Sequence, residues 1–550
     1  MKKKLNSFNL SHSNGLTLRI GEIVPIFVDH LVPGDKFEID TYLASRFFPM
    51  QAPIMTNVDI KTWAFAVPYR LVWEDYKEFF TGKNKRGDDV DPTFPRVDYS
   101  GLRNFYEQDI EEAAMLVKTG TLSDYLDLPN IPVNSDSDEW ASWYQKLPYF
   151  PSCSVLEPRA YQLIYNEWFR DQNIDDPVEF GIDSYIYDFA SSRAENEWQN
   201  LMTLRKLRWS KDYFTSALPT PSLAPDVALP VDSGVNYIPS PQGGLIRTSE
   251  GQTFEDDQNN LYAIASNTEP QATSQPMKAG SSNRQNNVAY DPNGTLRAND
   301  NATTIRDLTY SRMIYQYLLD LARGGSIRYK DFVKTLFGVT LPDYRAEIPE
   351  YIGGGQQPVI VSEVLQTSET NETPQGNISG RAVSVGSNHH AYYKAKEHTI
   401  IMILACVMPR PSYMSGLPKR HFKFDRFEYF IPQFDHVGDQ EIKRKELSYY
   451  DNTVNDETFG YAPRYSEYKS AVNRVHGELR NTLAYWTMAR DFSRSTPFLS
   501  PQFLVPEKEL IERPFFVQSD GRYKPEQLTL ECSFNINANR PMSKYSTPIV

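Results

Sequence analysis

The side chains with the plainest chemical potential in this chain are cationic. Lys2, Lys3 and Lys4 form a short basic arm, and Arg205, Lys206, Arg208 and Lys211 surround Trp209 in the run LRKLRWSKDYF. Cations interleaved with an aromatic ring can hold single-stranded nucleic acid, the charges on phosphates and the ring against a base. An ordinary amphipathic surface segment would read the same way, and the arm reads equally as a solubilising tail.

Other constellations are weaker. His389, His390 and His398 are the sole histidine cluster. Neighbouring residues of a strand face opposite sides, so just one of the adjacent pair could join His398 on a metal; loop histidines without a metal are expected. Gly353-Gly354-Gly355 lacks the strand-to-helix setting of a dinucleotide site and is expected to form a flexible turn. His436 beside Asp435 has no nucleophile in reach by sequence. Trp140, Trp143 and Trp168 near carboxylates permit a sugar-binding cleft, although the acidic run 136–139 reads as a solvated loop. No Gly-x-Ser-x-Gly elbow or phosphate-binding loop occurs, and nothing requires an enzyme, a cofactor or a metal.

Elements able to position such groups are mainly strands. Lys36–Leu43 and Gln527–Asn537 set apolar residues on one face with period two, Val58–Val67 alternates Trp63, Phe65 and Val67 with Ala64 and Ala66, and His398–Met408 is apolar on both sides. Lys423–Phe434 places Phe427, Tyr429 and Ile431 on one face and is expected as a further strand. Helical spacing marks Leu71–Phe80 with Gly82 as its stop, Arg159–Asn173, a segment opened by Thr304 and Asp307 and ended by Gly324-Gly325, and Tyr329–Phe337. The strands come from both ends of the chain and the helices from between them. A β core with long excursions follows.

Composition bounds the rest. The chain has 550 residues, 57 Lys and Arg against 70 Asp and Glu, a net charge of −13, and 38 prolines to 28 glycines. That acidity argues against a dedicated nucleic-acid-binding domain without excluding a local basic patch. Cys153, Cys406 and Cys532 are too few for a disulfide framework, which fits folding in a reducing compartment. No apolar run approaches the ~20 residues of a membrane span, and the basic N-terminus lacks the apolar core of a secretory signal. Residues 219–304 hold 9 prolines, 10 asparagines, 9 acidic and 4 basic residues with almost no periodic apolar pattern. Such a stretch cannot bury a core of its own. It is expected either to stay disordered or to gain order against neighbouring copies.

Read together, several blocks in order resemble the major capsid proteins of microviruses, small icosahedral single-stranded DNA phages, and most closely their gokushovirus-like branch. They are FNLSHS (Phe8–Ser13), GEIVPIFVDHLVPGDKF (Gly21–Phe37), VPYRLVWEDYKEFFTG (Val67–Gly82), RAYQLIYNEWFRDQN (Arg159–Asn173) and KDYFTSALP (Lys211–Pro219). RYKDFVKTLFGVTLPDYRAEIPEYIGG (Arg328–Gly354), FGYAPRYSEYKSAVNRVHGELR (Phe459–Arg480) and AYWTMARDF (Ala484–Phe492) follow.

The resemblance implies one domain over residues 1–550, a mainly β, eight-stranded antiparallel jelly-roll sandwich with long, partly helical insertions. It implies a structural protein of the virion, made and assembled in the bacterial cytoplasm, that builds a T=1 shell around a circular single-stranded DNA genome. Its implied partners are further copies of itself, the DNA, a small basic DNA-binding protein, an internal scaffolding protein, a minor DNA-pilot protein and a host surface receptor, with no membrane insertion. An acidic shell cannot neutralise DNA unaided, so its inner surface should be locally basic. Residues 219–304, spanned by Pro219, Asp232, Asn260 and Asp300, fall where this branch carries a variable loop, expected as an outer three-fold protrusion used in attachment. A surface carbohydrate-binding or glycosidase β-sandwich and an adhesin trimer are the competing readings; the lack of internal repeats counts against the latter.

Overall fold

The computed structural model describes residues 5–99, 119–130, 150–188, 192–221, 313, 328–365, 378–435, 438–515 and 526–545, with short strands between 244 and 298. The chain divides into two compact units, Met1–Pro221 with Gly324–Val550, and Ser222–Arg323.

The first unit is mostly β. Its long strands are β1 (Asn6–Asn9), β2 (His12–Leu18), β3 (Val24–Leu31), β4 (Lys36–Phe47) and β5 (Val58–Pro68). After the excursions come β6 (Glu350–Pro358), β7 (Ile360–Leu365), β8 (Ile378–Lys394), β9 (Thr399–Pro409) and β10 (Leu528–Arg540). One antiparallel sheet runs β10-β4-β8-β7, with β1 and β2 pairing in succession along the free edge of β10; the other runs β6-β5-β9-β3. The sheets thus hold six and four strands, where the resemblance implied eight in all. The expected β-sandwich is present.

Periodicity explains the layering. β4 and β10 alternate buried and solvent-facing residues along most of their length, whereas every residue of β9 is buried. Phe37, Ile39 and Leu43 of β4 share one core cluster with Leu530, Phe534 and Ile536 of β10 and Ile400 to Met408 of β9. Phe27 on β3 meets Phe534 on β10 across the sheets, ring centroids 5.2 Å apart. Fully burying each such side chain is worth about 1.5–3 kcal/mol, ample to fix the register of strands whose other face is polar.

Two sequence expectations need correction here. The glycine triplet is no flexible turn: it lies within β6, hydrogen-bonded to β5. The glycines are there because backbone passes close by. A Cβ on Gly354 would fall 2.5 Å from the Thr62 carbonyl oxygen, and one on Gly355 would collide with the backbone of Asn388 on β8. Lys423–Phe434 is no strand either; it forms successive 3-10 turns at Arg426–Glu428 and Pro432–Phe434, the first closed by an Asp425–Glu428 capping box.

The excursions carry α1 (Tyr76–Thr81), α2 (Leu156–Ile164), α3 (Ser192–Met202) and α4 (Tyr329–Phe337). Gly82 and Gly338 end α1 and α4 in the left-handed conformation, at φ 66° and 68°. The helix expected from Leu71 starts later, because Tyr69–Leu71 is a 3-10 turn and Val72 and Trp73 insert into the core before α1 begins. α2 begins before Pro158, which sits within its first turn, and runs on as a π-helical turn, Tyr165–Phe169. A second apolar cluster joins Tyr213, Phe214 and Ala217 to Tyr413, Ile442, Leu447, Phe459, Phe492 and Phe503.

In the second unit, Gly244–Arg247 pairs with Val288–Asp291, and Thr253–Glu255 pairs with both Leu261–Ala263 and Arg297–Ala298. These short antiparallel pairs stand where the sequence showed no strand pattern. Of the helix expected from Thr304 just Met313, helical and exposed, is among the described residues; Asp232, Asn260 and Asp300 lie outside them.

Candidate nucleic-acid and assembly surfaces

The basic segment 205–211 is threaded through the protein rather than laid on it. Its backbone bonds residues 21–23 on one side, Leu207 N–H donating to Gly21 O at 2.7 Å and Ile23 N–H to Arg205 O at 2.8 Å. On the other side Trp209 N–H donates to Leu504 O. Leu207 and Trp209 therefore point inward, and Trp209 is 3% exposed, with no face to offer a base.

Its cations are engaged internally. Arg205 donates to Gln162 Oε1 and Asn200 O, and burial lowers the pKa of its guanidinium. Arg208 pairs with Asp175 at 2.6 Å and donates to Pro501 O, and Lys211 reaches Asp171. Burial outweighs the neighbouring Arg208 charge and pushes the Asp175 carboxyl up. Lys206, on the exposed side, bridges by backbone to Glu22. The stacking role expected of Trp209 does not fit this placement; the segment fastens α2 and its following loop to the 500s. Pro219 is exposed just beyond it, and Lys2, Lys3 and Lys4 lie outside the described residues.

His389 and His390 are strand residues rather than the expected loop residues, whereas His398 does lie in the loop between β8 and β9. β8 bulges between Ser387 and His389, which leaves His389 buried and His390 exposed. His389 Nδ1 lies 3.0 Å from Thr62 Oγ1, and burial, with the His390 charge second, depresses its pKa to about 4. His390 pairs with Asp40 at 2.7 Å on the outer face. His398 is elsewhere, hydrogen-bonded to Tyr76 and stacked on Phe80. Among the described residues no group of three His, Cys, Asp or Glu could hold a metal. Trp168 packs on Phe65 and Tyr351 and donates to Pro349 O, which makes it core rather than sugar platform; Trp140, Trp143 and His436 lie outside the described residues.

Sequence reasoning missed the exposed aromatic surfaces. α4 sets Tyr329, Phe332, Val333, Leu336 and Phe337 at helical spacing, yet none of its residues is buried. The turns at 424–430 are held from behind, Arg464 donating to Phe427 O and Tyr465 to Tyr429 O, so that Phe424 projects 89% exposed beside exposed Phe427 and Phe430. Aromatic groups held rigidly in solvent mark interaction sites. Their signal was available in the α4 periodicity, which an isolated helix would otherwise bury.

The sandwich with long excursions and uncovered aromatic faces is matched by a family model described as "Capsid protein (F protein)" over residues 2–125 and 128–550. The chain belongs to this capsid protein family. It is 29% identical to "Capsid protein VP1" of Chlamydia phage 1, 28% to that of Bdellovibrio phage phiMH2K and 27% to that of Spiroplasma virus 4. Each alignment covers 99% of this chain and 95% of the relative. The microvirus-type reading of the sequence is thereby shown. As a capsid protein the chain is a virion component that assembles with further copies, and its family role is structural. Among the described residues no helix is long and apolar enough to cross a membrane.

Proposed function

We propose that this capsid protein is the repeating subunit of a T=1 icosahedral shell around a circular single-stranded DNA genome, acting by assembly and not by catalysis. The observation that carries the reading is the whole-length family match, joined to apolar faces on α4 and at 424–430 that one copy leaves uncovered. Such faces suit the rings of heterologous contacts that close a shell. An internal scaffolding protein, a small basic DNA-binding protein and a DNA-pilot protein would assist assembly in the bacterial cytoplasm, and residues 219–304 would form the outer protrusion that meets a host receptor.

Expression with the scaffolding protein, followed by negative-stain microscopy and sedimentation, tests this. Uniform spherical shells bearing knobs are expected. A monomer or trimer under all conditions would contradict the reading. Replacing 232–300 by a short Gly/Ser linker should leave shells intact but without knobs; loss of particles would make that loop an assembly element instead.

A further inference from the structure

The solvent face of the first sheet carries a different set of cations, and these are not spent internally. Lys36 on β4 and Lys394 on β8 are direct cross-strand partners, with Asn539 of β10 and Ser7 of β1 completing the row. Like charges placed opposite each other destabilise a sheet unless an anion lies over them. Among the described residues no ion pair reaches either lysine, whereas Arg540 nearby is held by Asp29 at 3.0 Å and Asp35 at 3.5 Å. The first strand enters this corner at Asn6, paired with Arg540.

Along the same face from that corner come Tyr392, 55% exposed, and Tyr42, 46% exposed. They are four positions apart along β4, about 14 Å at ~3.4 Å per residue. Across β4 from Tyr392, on β10, stands Asn537 level with Glu38, and Asn535 follows level with Asp40. Ser7 and Ser11 donate to their amide oxygens at 2.8 and 3.1 Å, and both asparagines are exposed. The intervening acids, Glu38 and Asp40, both face His390, at 3.9 and 2.7 Å. Glu531 lies beyond Tyr42, level with Ala44.

We propose that this face is a platform for single-stranded DNA, Lys36 and Lys394 on the phosphates, Tyr392 and Tyr42 under bases, and Asn535 and Asn537 donating to base or phosphate oxygens. This rests on the genome-enclosing reading above and gives it a location. A protein partner would meet an apolar centre depleted of charge; this face offers amides, hydroxyls, two spaced rings with Glu38 and Asp40 turned to His390 between them, and a lysine pair that no ion pair reaches among the described residues. Both rings are about half exposed on the solvent face of the sheet, reachable by unpaired bases.

The test is fluorescence anisotropy of a labelled oligothymidylate with the full chain, over a salt series. The Tyr42→Ala, Tyr392→Ala double variant should bind about tenfold or more weakly, and the Tyr→Phe pair should keep wild-type affinity. The Lys36→Ala, Lys394→Ala pair should flatten the log–log salt slope by about 0.7 per lysine, and Lys206→Ala should change nothing. All the substituted groups are at least partly exposed, so melting temperatures should hold. If wild type binds and both double variants bind equally well, the platform is wrong while the DNA reading stands. If wild type binds no oligonucleotide, both fail. Normal DNA binding with lost association between copies would make the face a protein contact and overturn the platform.

Discussion

Two groups of basic residues lie on this protein, and they have opposite fates. The segment 205–211 is rich in cations around a tryptophan, yet Arg208 and Lys211 are taken by Asp175 and Asp171, and the ring is buried. Lys36 and Lys394 attract no notice in the sequence, 358 residues apart, yet the sheet sets them side by side, and among the described residues no carboxylate pairs with either. What makes a nucleic-acid surface is the absence of an internal counter-charge. Local density of Lys, Arg and aromatics says little about that. The same contrast separates adjacent His389, buried and held neutral, from His390, exposed on Asp40.

Breaking the buried pair should have the largest effect. Arg208→Ala strands the Asp175 carboxylate and should lower stability by about 3 kcal/mol or more in urea unfolding, with no change in oligonucleotide affinity. Next is the pH response. With its folded pKa near 4, below the ordinary 6.5, His389 stays neutral in the fold while the unfolded chain takes up a proton. Its contribution is full above pH 6.5 and is lost as pH falls toward 4, a decline of up to about 3 kcal/mol that His389→Gln should flatten. Gly355→Ala, which forces β6 off the β8 backbone, should cost about 2 kcal/mol by thermal unfolding. Smallest of all, Lys36→Ala should leave stability within about 0.5 kcal/mol and report in DNA binding alone.

The sandwich was legible where burial imposes a period. β4, β5, β9 and β10 and the helix α4 stand close to where alternation or helical spacing put them. Legibility failed where a distant segment decides. The glycine triplet reads as a turn until Asn388 and Thr62 are seen crowding it. The spacing of Phe427, Tyr429 and Ile431 mimics a strand, but Asp425 and Glu428 cap a 3-10 turn there, and Arg464 and Tyr465 bond its carbonyls. The basic segment misleads for the same reason, its carboxylate partners lying in the loop after α2. The lysine pair and its tyrosines needed the β4–β8 register, which no local pattern contains.

The most direct test of the central contrast is ultraviolet cross-linking of DNA-filled particles, with the adducts mapped by mass spectrometry. Adducts are predicted on the peptides holding Tyr42 and Tyr392, and none on Arg205–Lys211. Adducts at Trp209 with a clean sheet face would contradict the account.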